Sequence, residues 1–212
     1  MKIIIVSGGM DSVTLLNEKK TEIAKAISFF YGQKHKKELE YAKAECEKLN
    51  IEHIIIDIEN IGMQLKSNLL LTGGDIPEGH YEHESMRQTV VPFRNGIMLS
   101  IAIGIAESNN YESVLIANHS GDHAIYPDCR EDFINHMSKA SEYGTYNHVK
   151  IESPYNGKTK RDIAIIGKDL NLDYTKTWSC YKGQEKHCGK CGTCTERKEA
   201  LHGFDNTEYS NV

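Results

Sequence analysis

Two short stretches of this 212-residue chain carry residue types whose spacing suggests chemistry. The first is Ser7-Gly8-Gly9-Met10-Asp11-Ser12, which follows the apolar run Ile3 to Val6. At a strand-to-helix turn, free backbone N–H groups and the helix dipole point at an anion, and glycines let the main chain close around phosphate oxygens. Ser7 and Ser12 add hydroxyl donors. Asp11 would repel a bare phosphate, so it belongs beside Mg²⁺ or serves as a helix cap. No lysine follows the glycines, and the pattern is not GxGxxG, which separates this loop from the ordinary P-loop and from the dinucleotide fingerprint. The bland alternative is a Gly-Gly turn capped by Asp11 or Ser12. The position at the first strand-to-helix turn favours phosphate binding by Ser7, Gly8, Gly9, Met10, Asp11 and Ser12.

The second stretch is a cysteine cluster near the C-terminus. Cys180, Cys188, Cys191 and Cys194 follow C-x7-C-x2-C-x2-C, with Gly189-Lys190 and Gly192-Thr193 as spacers. Four thiolates on tight turns suit one tetrahedral ion with no open position, the pattern of a structural Zn²⁺ site. A disulfide pair would need an oxidising compartment, and a redox CxxC needs only one thiol pair. His187 is a fifth candidate ligand and reads better as a surface or substrate-facing residue. The close pairs His80/His83 and His119/His123 could bridge an ion, but they fit better as substrate-lining groups.

Composition narrows the function classes. A net charge of -5 with no basic run argues against broad nucleic-acid binding, which needs clustered Lys and Arg. A small-molecule substrate fits better. Lys182, Lys186, Lys190, Arg197 and Lys198 make the cysteine segment locally basic, yet Glu185, Glu196 and Glu199 interleave, and the charges read as a solvated face. A zinc-dependent RNA-binding module is therefore the nonenzymatic rival, and no direct nucleic-acid partner is expected. The apolar runs are far shorter than the roughly 20 residues of a membrane span, and the N-terminus lacks a signal-peptide pattern, so the expected compartment is the cytoplasm.

The elements that must position these residues alternate along the chain. Strands are expected at Lys2 to Val6, Ala26 to Phe30, His53 to Ile58, Ser113 to Ala117 and Val149 to Ser153. Helices are expected at Ser12 to Glu18, Lys36 to Leu49, Asn95 to Glu107, Glu131 to Tyr143 and Thr159 to Leu170. This rhythm implies an α/β fold with a doubly wound, parallel, five-stranded sheet, whose ligands sit beyond the carboxyl ends of the strands. Residues 63–91, with Gly73, Gly74, Pro77 and Gly79, read as an excursion over the active face with weak structure of its own. We divide the chain into an α/β domain, 1–176, and a zinc-binding segment, 177–212, packed on it.

SGGMDS resembles the pyrophosphatase loop of the N-type ATP pyrophosphatases, which cleave ATP between the α and β phosphates. With it, V-P-F-R-N at Val91 to Asn95, Y-P-D-C-R at Tyr126 to Arg130, and T-W-S-C-Y-K-G followed by H-C-G-K-C-G-T-C-T-E-R through Arg197 resemble the 7-cyano-7-deazaguanine synthase family. The resemblance runs from Ile3 to about His202. It implies an adenine nucleotide alpha hydrolase-like fold, zinc, a homodimer, and ATP-dependent conversion of 7-carboxy-7-deazaguanine and ammonia into the nitrile preQ0, a queuosine precursor. Two departures stand out: Phe93 replaces a commoner small residue, and N-H-S-G-D-H-A-I at Asn118 to Ile125 differs from the usual family stretch. No role therefore carries over to His119, Asp122 or His123.

A carboxylate is a poor acylating agent, so one of its oxygens must first become a phosphate ester. ATP would supply the α-phosphoryl group, with the Ser7–Ser12 loop and Mg²⁺ holding pyrophosphate and Arg94 or Lys160 neutralising charge on the α-phosphate. Asp128 is the candidate acceptor for the ring's guanidine-like edge or the general base. Tyr126 or Trp178 would stack on the ring. Cys129 is expected to be a small packed residue. The nearest rivals of this fold class are a tRNA thiolase and an amide-forming synthetase.

Overall fold

A computed structural model describes residues 1–81, 83–182 and 184–210. Glu82, Gly183, Asn211 and Val212, which fall within the 63–91 excursion and the 177–212 segment, lie outside the described residues. Five strands, β1 (Lys2–Ile5), β2 (Ile23–Phe30), β3 (Glu52–Asp57), β4 (Ser113–Leu115) and β5 (Lys150–Glu152), form one sheet in the order β3-β2-β1-β4-β5. Every neighbouring pair is parallel. The crossovers are α1 (Met10–Lys19), α2 (Lys37–Lys48), α3 (Glu59–Gly62) with α4 (Arg94–Ser108), and α5 (Glu131–Gly144); α6 (Lys160–Asp169) and α7 (Gly192–Ala200) follow β5. The strand order reverses between β1 and β4, so a crevice opens there beyond their carboxyl ends.

The short central strands are buried on both faces, as their uninterrupted apolar sequence requires. Ile3 joins Ile27, Leu99 and Val114 in one cluster, while the next residue, Ile4, joins Leu15, Leu16 and Ile163 in another. Successive strand side chains point to opposite faces, so β1 is the shared wall of two cores. Each fully buried side chain of this size contributes roughly 1.5–3 kcal/mol.

Element ends differ modestly from expectation. Helix α1 begins at Met10 rather than Ser12 because Gly9 is already its extended N-cap (φ -73, ψ 161). Residues 63–91 hold more order than their glycines suggest: Leu69 and Leu70 are each 1% exposed within the main core, and Glu84–Thr89 forms a 3-10 turn. Among the described residues, 84–108 is the one stretch that holds a window long and apolar enough to suit a bilayer. Phe93, at φ 53, interrupts it, and the helical half packs on β1 and β4 as a core helix.

The last segment closes over the sheet's carboxyl edge. Trp178 donates its backbone N–H to the Gly8 carbonyl (2.9 Å), and Cys191 bridges to Glu78 of the excursion. One expectation for this segment is corrected: Arg197 does not belong to a solvated face. It is 0% exposed and donates to the Tyr174 carbonyl, Thr177, Ser179 and Thr207. A buried guanidinium is tolerated because so many of its donors are matched.

Candidate active site

The Ser7–Ser12 turn stands at the crevice. Gly8 adopts φ +85, and a Cβ there would meet the Glu38 carbonyl oxygen at 2.0 Å, so α2 can approach the loop only because position 8 has no side chain. Ser7 Oγ lies 3.1 Å from Ser12 Oγ and accepts from the Gly9 N–H (3.2 Å), while Ser12 Oγ donates to the Gly9 carbonyl (3.1 Å). No side chain caps α1, which answers the alternative of a turn capped by Asp11 or Ser12: the first-turn donors are left for another acceptor. Gly8→Ala should therefore lower stability by about 1–3 kcal/mol and loosen nucleotide binding, measured by thermal melting with and without ATP. An unchanged melting profile would mean that the α2 contact is not tight. The Met10 side chain points away into a small core with Ala164, Tyr174 and Leu201, so Met10 can serve a ligand only through its backbone.

Beside the loop, residues from four separate segments form one charged cluster. Lys160, the first residue of α6, is fixed by the Thr159–Asp162 capping box at its helix start. Its Nζ lies 2.8 Å from Glu196 Oε2, 3.1 Å from Asp11 Oδ2 and 3.4 Å from His119 Nε2. Burial by itself would lower the lysine's pKa, but Asp11 and Glu196, with Asp122 beyond them, outweigh it and hold the ammonium above its ordinary value. His119 is 1% exposed and accepts the Gly121 N–H at Nδ1, so its Nε2–H faces Asp11, Asp122 and Glu196 at 3.9, 3.6 and 3.8 Å. Burial lifts the Glu196 carboxyl against the pull of Lys160 and His119. Asp11 Oδ1 is buried with no hydrogen-bond partner among the described residues.

Arg94 opens α4 on another wall of the same crevice. It donates to the Tyr31 hydroxyl (3.3 Å) and sits 5.7 Å from that ring's centre, and among the described residues no carboxylate makes an ion pair with it. Burial pushes the Tyr31 phenol up to about 12 and raises Tyr126 and Tyr181 as well. Their hydroxyls remain neutral, and the guanidinium keeps its capacity for an anion.

The expected substrate residues divide. Tyr126 lines the crevice, its hydroxyl within 3.2 Å of both Thr89 Oγ1 and Tyr181 Oη. Asp128 needs correction: it does not line the crevice. Its Oδ2 accepts the Asn95 backbone N–H (2.8 Å) and its carbonyl accepts from Asn95 Nδ2 (3.3 Å), so it anchors the first turn of α4 behind Arg94. Trp178 reaches the crevice, but its ring is already enclosed, with Tyr41 and His187 beside it, Lys37 Nζ 4.6 Å from its centre and its indole N–H on the Cys180 carbonyl. That leaves Trp178 as wall packing rather than a stacking platform. Cys129 is buried and accepts from Asn95 Nδ2. Sequence reasoning missed Glu196, although it lies inside the quoted C-T-E-R stretch; it assigned no role to Asp122 and placed His119 only among the substrate-lining groups.

Cys180, Cys188, Cys191 and Cys194 converge as the spacing predicts: their four sulfurs all lie within 4.8 Å of one another, fully enclosed. Backbone N–H groups of Lys182, Cys188, Lys190 and Cys191 point at Cys180 and Cys188 sulfurs (3.3–3.5 Å), a setting that stabilises thiolate. The donor set fits a closed tetrahedral zinc site. His187 is not a further ligand; its Nε2 accepts the Ser179 N–H (3.1 Å).

Comparison with known proteins bears on the family and the fold. The family model described as queuosine biosynthesis protein QueC matches residues 1–205. A 7-cyano-7-deazaguanine synthase of Porphyromonas gingivalis is 59% identical over 98% of this chain and 96% of its own. One from Desulfotalea psychrophila is 52% identical, covering 98% and 97%. Among solved structures, an NMN synthetase from Francisella tularensis (TM-score 0.54, 14% identity, 99% of this chain and 78% of that one) shares the fold. So does the U34-tRNA thiolase NcsA from Methanococcus maripaludis (TM-score 0.50, 16% identity, 99% and 74%).

Proposed function

Because the chain belongs to the 7-cyano-7-deazaguanine synthase family of queuosine biosynthesis, ligase-type enzymes, we propose that it joins ammonia to 7-carboxy-7-deazaguanine at the expense of ATP and delivers the nitrile. The observation that supports this most is the convergence on one crevice of an uncapped phosphate loop, the Lys160 ammonium and an Arg94 that has no carboxylate partner among the described residues.

In this reading the Ser7–Ser12 backbone and hydroxyls bind the β and γ phosphates and orient the α-phosphorus toward the base. A carboxylate oxygen attacks that phosphorus, the bond to the β-phosphate oxygen breaks, and pyrophosphate leaves. Lys160 stabilises the charge that builds on the phosphates, and Arg94 holds the anion at the reacting centre. Ammonia then adds to the acyl carbon and AMP departs, giving the amide. The amide oxygen takes a second adenylyl group, and loss of AMP with the nitrogen's protons leaves the nitrile. The crevice walls, Tyr126, Tyr181 and Met98 among them, exclude water from the acyl adenylate. Asp11, with its unpartnered Oδ1, would hold Mg²⁺, which supplies charge neutralisation for the nucleotide when bound. The four cysteines would hold a structural Zn²⁺.

The test is direct: the protein is incubated with ATP, Mg²⁺, ammonium and the carboxydeazaguanine, and mass spectrometry follows acid, amide, nitrile and AMP. Two AMP per nitrile are expected, with the amide as an intermediate. Formation of ADP in place of AMP would overturn the proposal.

A further inference from the structure

A second polar edge of the crevice is left unexplained by the phosphate chemistry. His35 lines the crevice at 4% exposure; its Nε2 lies 3.3 Å from Glu38 Oε2, and its Nδ1 has no hydrogen-bond partner among the described residues. Gln33, 0% exposed, donates to Glu38 Oε1 and to the Phe29 carbonyl (both 3.1 Å), and its own oxygen accepts the Tyr31 N–H (2.8 Å). The carboxylate is thereby held in one orientation at the crevice. An imidazole whose Nε2–H faces a carboxylate presents a bare lone pair at Nδ1. This edge therefore offers the remaining lone pairs of Glu38, with the enclosed and unmatched Nδ1 of His35 beside them.

Such an edge selects among the two heterocycles of the proposed reaction. Adenine presents one exocyclic amine flanked by ring nitrogens that are themselves acceptors, so a two-acceptor edge would set lone pair against lone pair. The amino-lactam edge of the deazaguanine carries adjacent ring N–H and exocyclic N–H donors. Pairing it with Glu38 and His35 satisfies all of them, and a buried acceptor without a donor is costly. We propose that Glu38 and His35 are the specificity-determining pair that reads the donor edge of the carboxydeazaguanine ring, with Gln33 positioning Glu38. This rests on the function proposed above, and it takes over the acceptor role first expected of Asp128.

The full-length variant Glu38→Gln keeps the acceptor that Gln33 uses and changes the edge facing the ligand. Its KM for the carboxydeazaguanine should rise roughly 10- to 100-fold, while its KM for ATP stays within about twofold of the native value. An analogue lacking the exocyclic amine should bind the native enzyme more weakly by a similar factor and suffer little further loss with the variant. A rise in the ATP KM alone, unchanged values for both substrates, or undiminished sensitivity of the analogue to the substitution would each overturn the assignment. If the variant does not fold, calorimetry on the native protein with the parent acid and the analogue decides, since equal affinities would overturn it. Native protein that forms no AMP and binds no carboxydeazaguanine would instead refute the proposed reaction, a distinguishable result.

Discussion

Lys160→Ala should lower kcat for AMP formation by roughly 10²- to 10³-fold, the range found when one preorganised charge-stabilising group is lost at a transition state. The ammonium is held between Glu196 at 2.8 Å and Asp11 at 3.1 Å, with His119 behind them. Without it, the carboxylates of Asp11, Asp122 and Glu196 face the position proposed for the departing pyrophosphate, and repulsion replaces attraction. Stability should also fall, by about 3–5 kcal/mol, because a buried carboxylate loses its counter-ion. Lys160→Arg separates the two effects by keeping the charge and shifting its geometry: most of the stability returns, and the rate returns only in part. Quenched-flow measurement of pyrophosphate beside thermal melting checks both. An alanine variant with a lowered melting point and an undiminished rate would reduce Lys160 to a structural ion pair.

Removing the metal should have the second large effect. Apparent binding energies of about 10–16 kcal/mol in small zinc domains match or exceed the roughly 5–15 kcal/mol net stability of a typical domain. Here the buried residues of the two sheet cores are distinct from the cysteine cluster, which among the described residues meets the main core only through the partly buried Ile76 and Tyr181, so the α/β body should persist while the segment around α7 loosens. A loss of about 5 kcal/mol would lower Tm by about 10–20 °C in a chain of this size. Activity should fall in parallel, because α7 starts directly after Cys191 and carries Glu196 to Lys160. Cys191→Ser and prolonged chelation should agree. Atomic absorption identifies the ion, since four sulfur ligands also suit iron–sulfur chemistry. A chelated protein that melts and turns over like the native one would remove the site from the account.

The sheet was legible because its strands are continuous runs such as Ile3 to Val6 and Ile54 to Ile56, and because the phosphate turn and the cysteines are local patterns with fixed spacing. What could not be read was how the charged side of the crevice is assembled. His119, Asp122, Lys160 and Glu196 come from distant parts of the chain and become a cluster only when α6 and α7 pack together. Arg197 looked like one more surface charge in a mixed run, and only its partners from residues 174–207 reveal why it is inside. Asp128 misled for the same reason: a carboxylate beside an aromatic and a proline suggests a ligand group, but its partner is a backbone N–H 33 residues away. The glycines of residues 63–91 mark a loop, whereas the buried Leu69 and Leu70 decide where that loop is pinned.

The contact between Gly8 and the carbonyl of Glu38 couples two grips that a ligand would feel separately. Exchange of the side chain at position 38 leaves that junction untouched, so ring preference can be retuned while the phosphate cradle stays in place. Lengthening the connection between β2 and α2, by contrast, would slide the helix along the cradle and disturb both at once. The chain can thus drift in what it recognises more easily than in how it holds the nucleotide, and insertions should be tolerated elsewhere first.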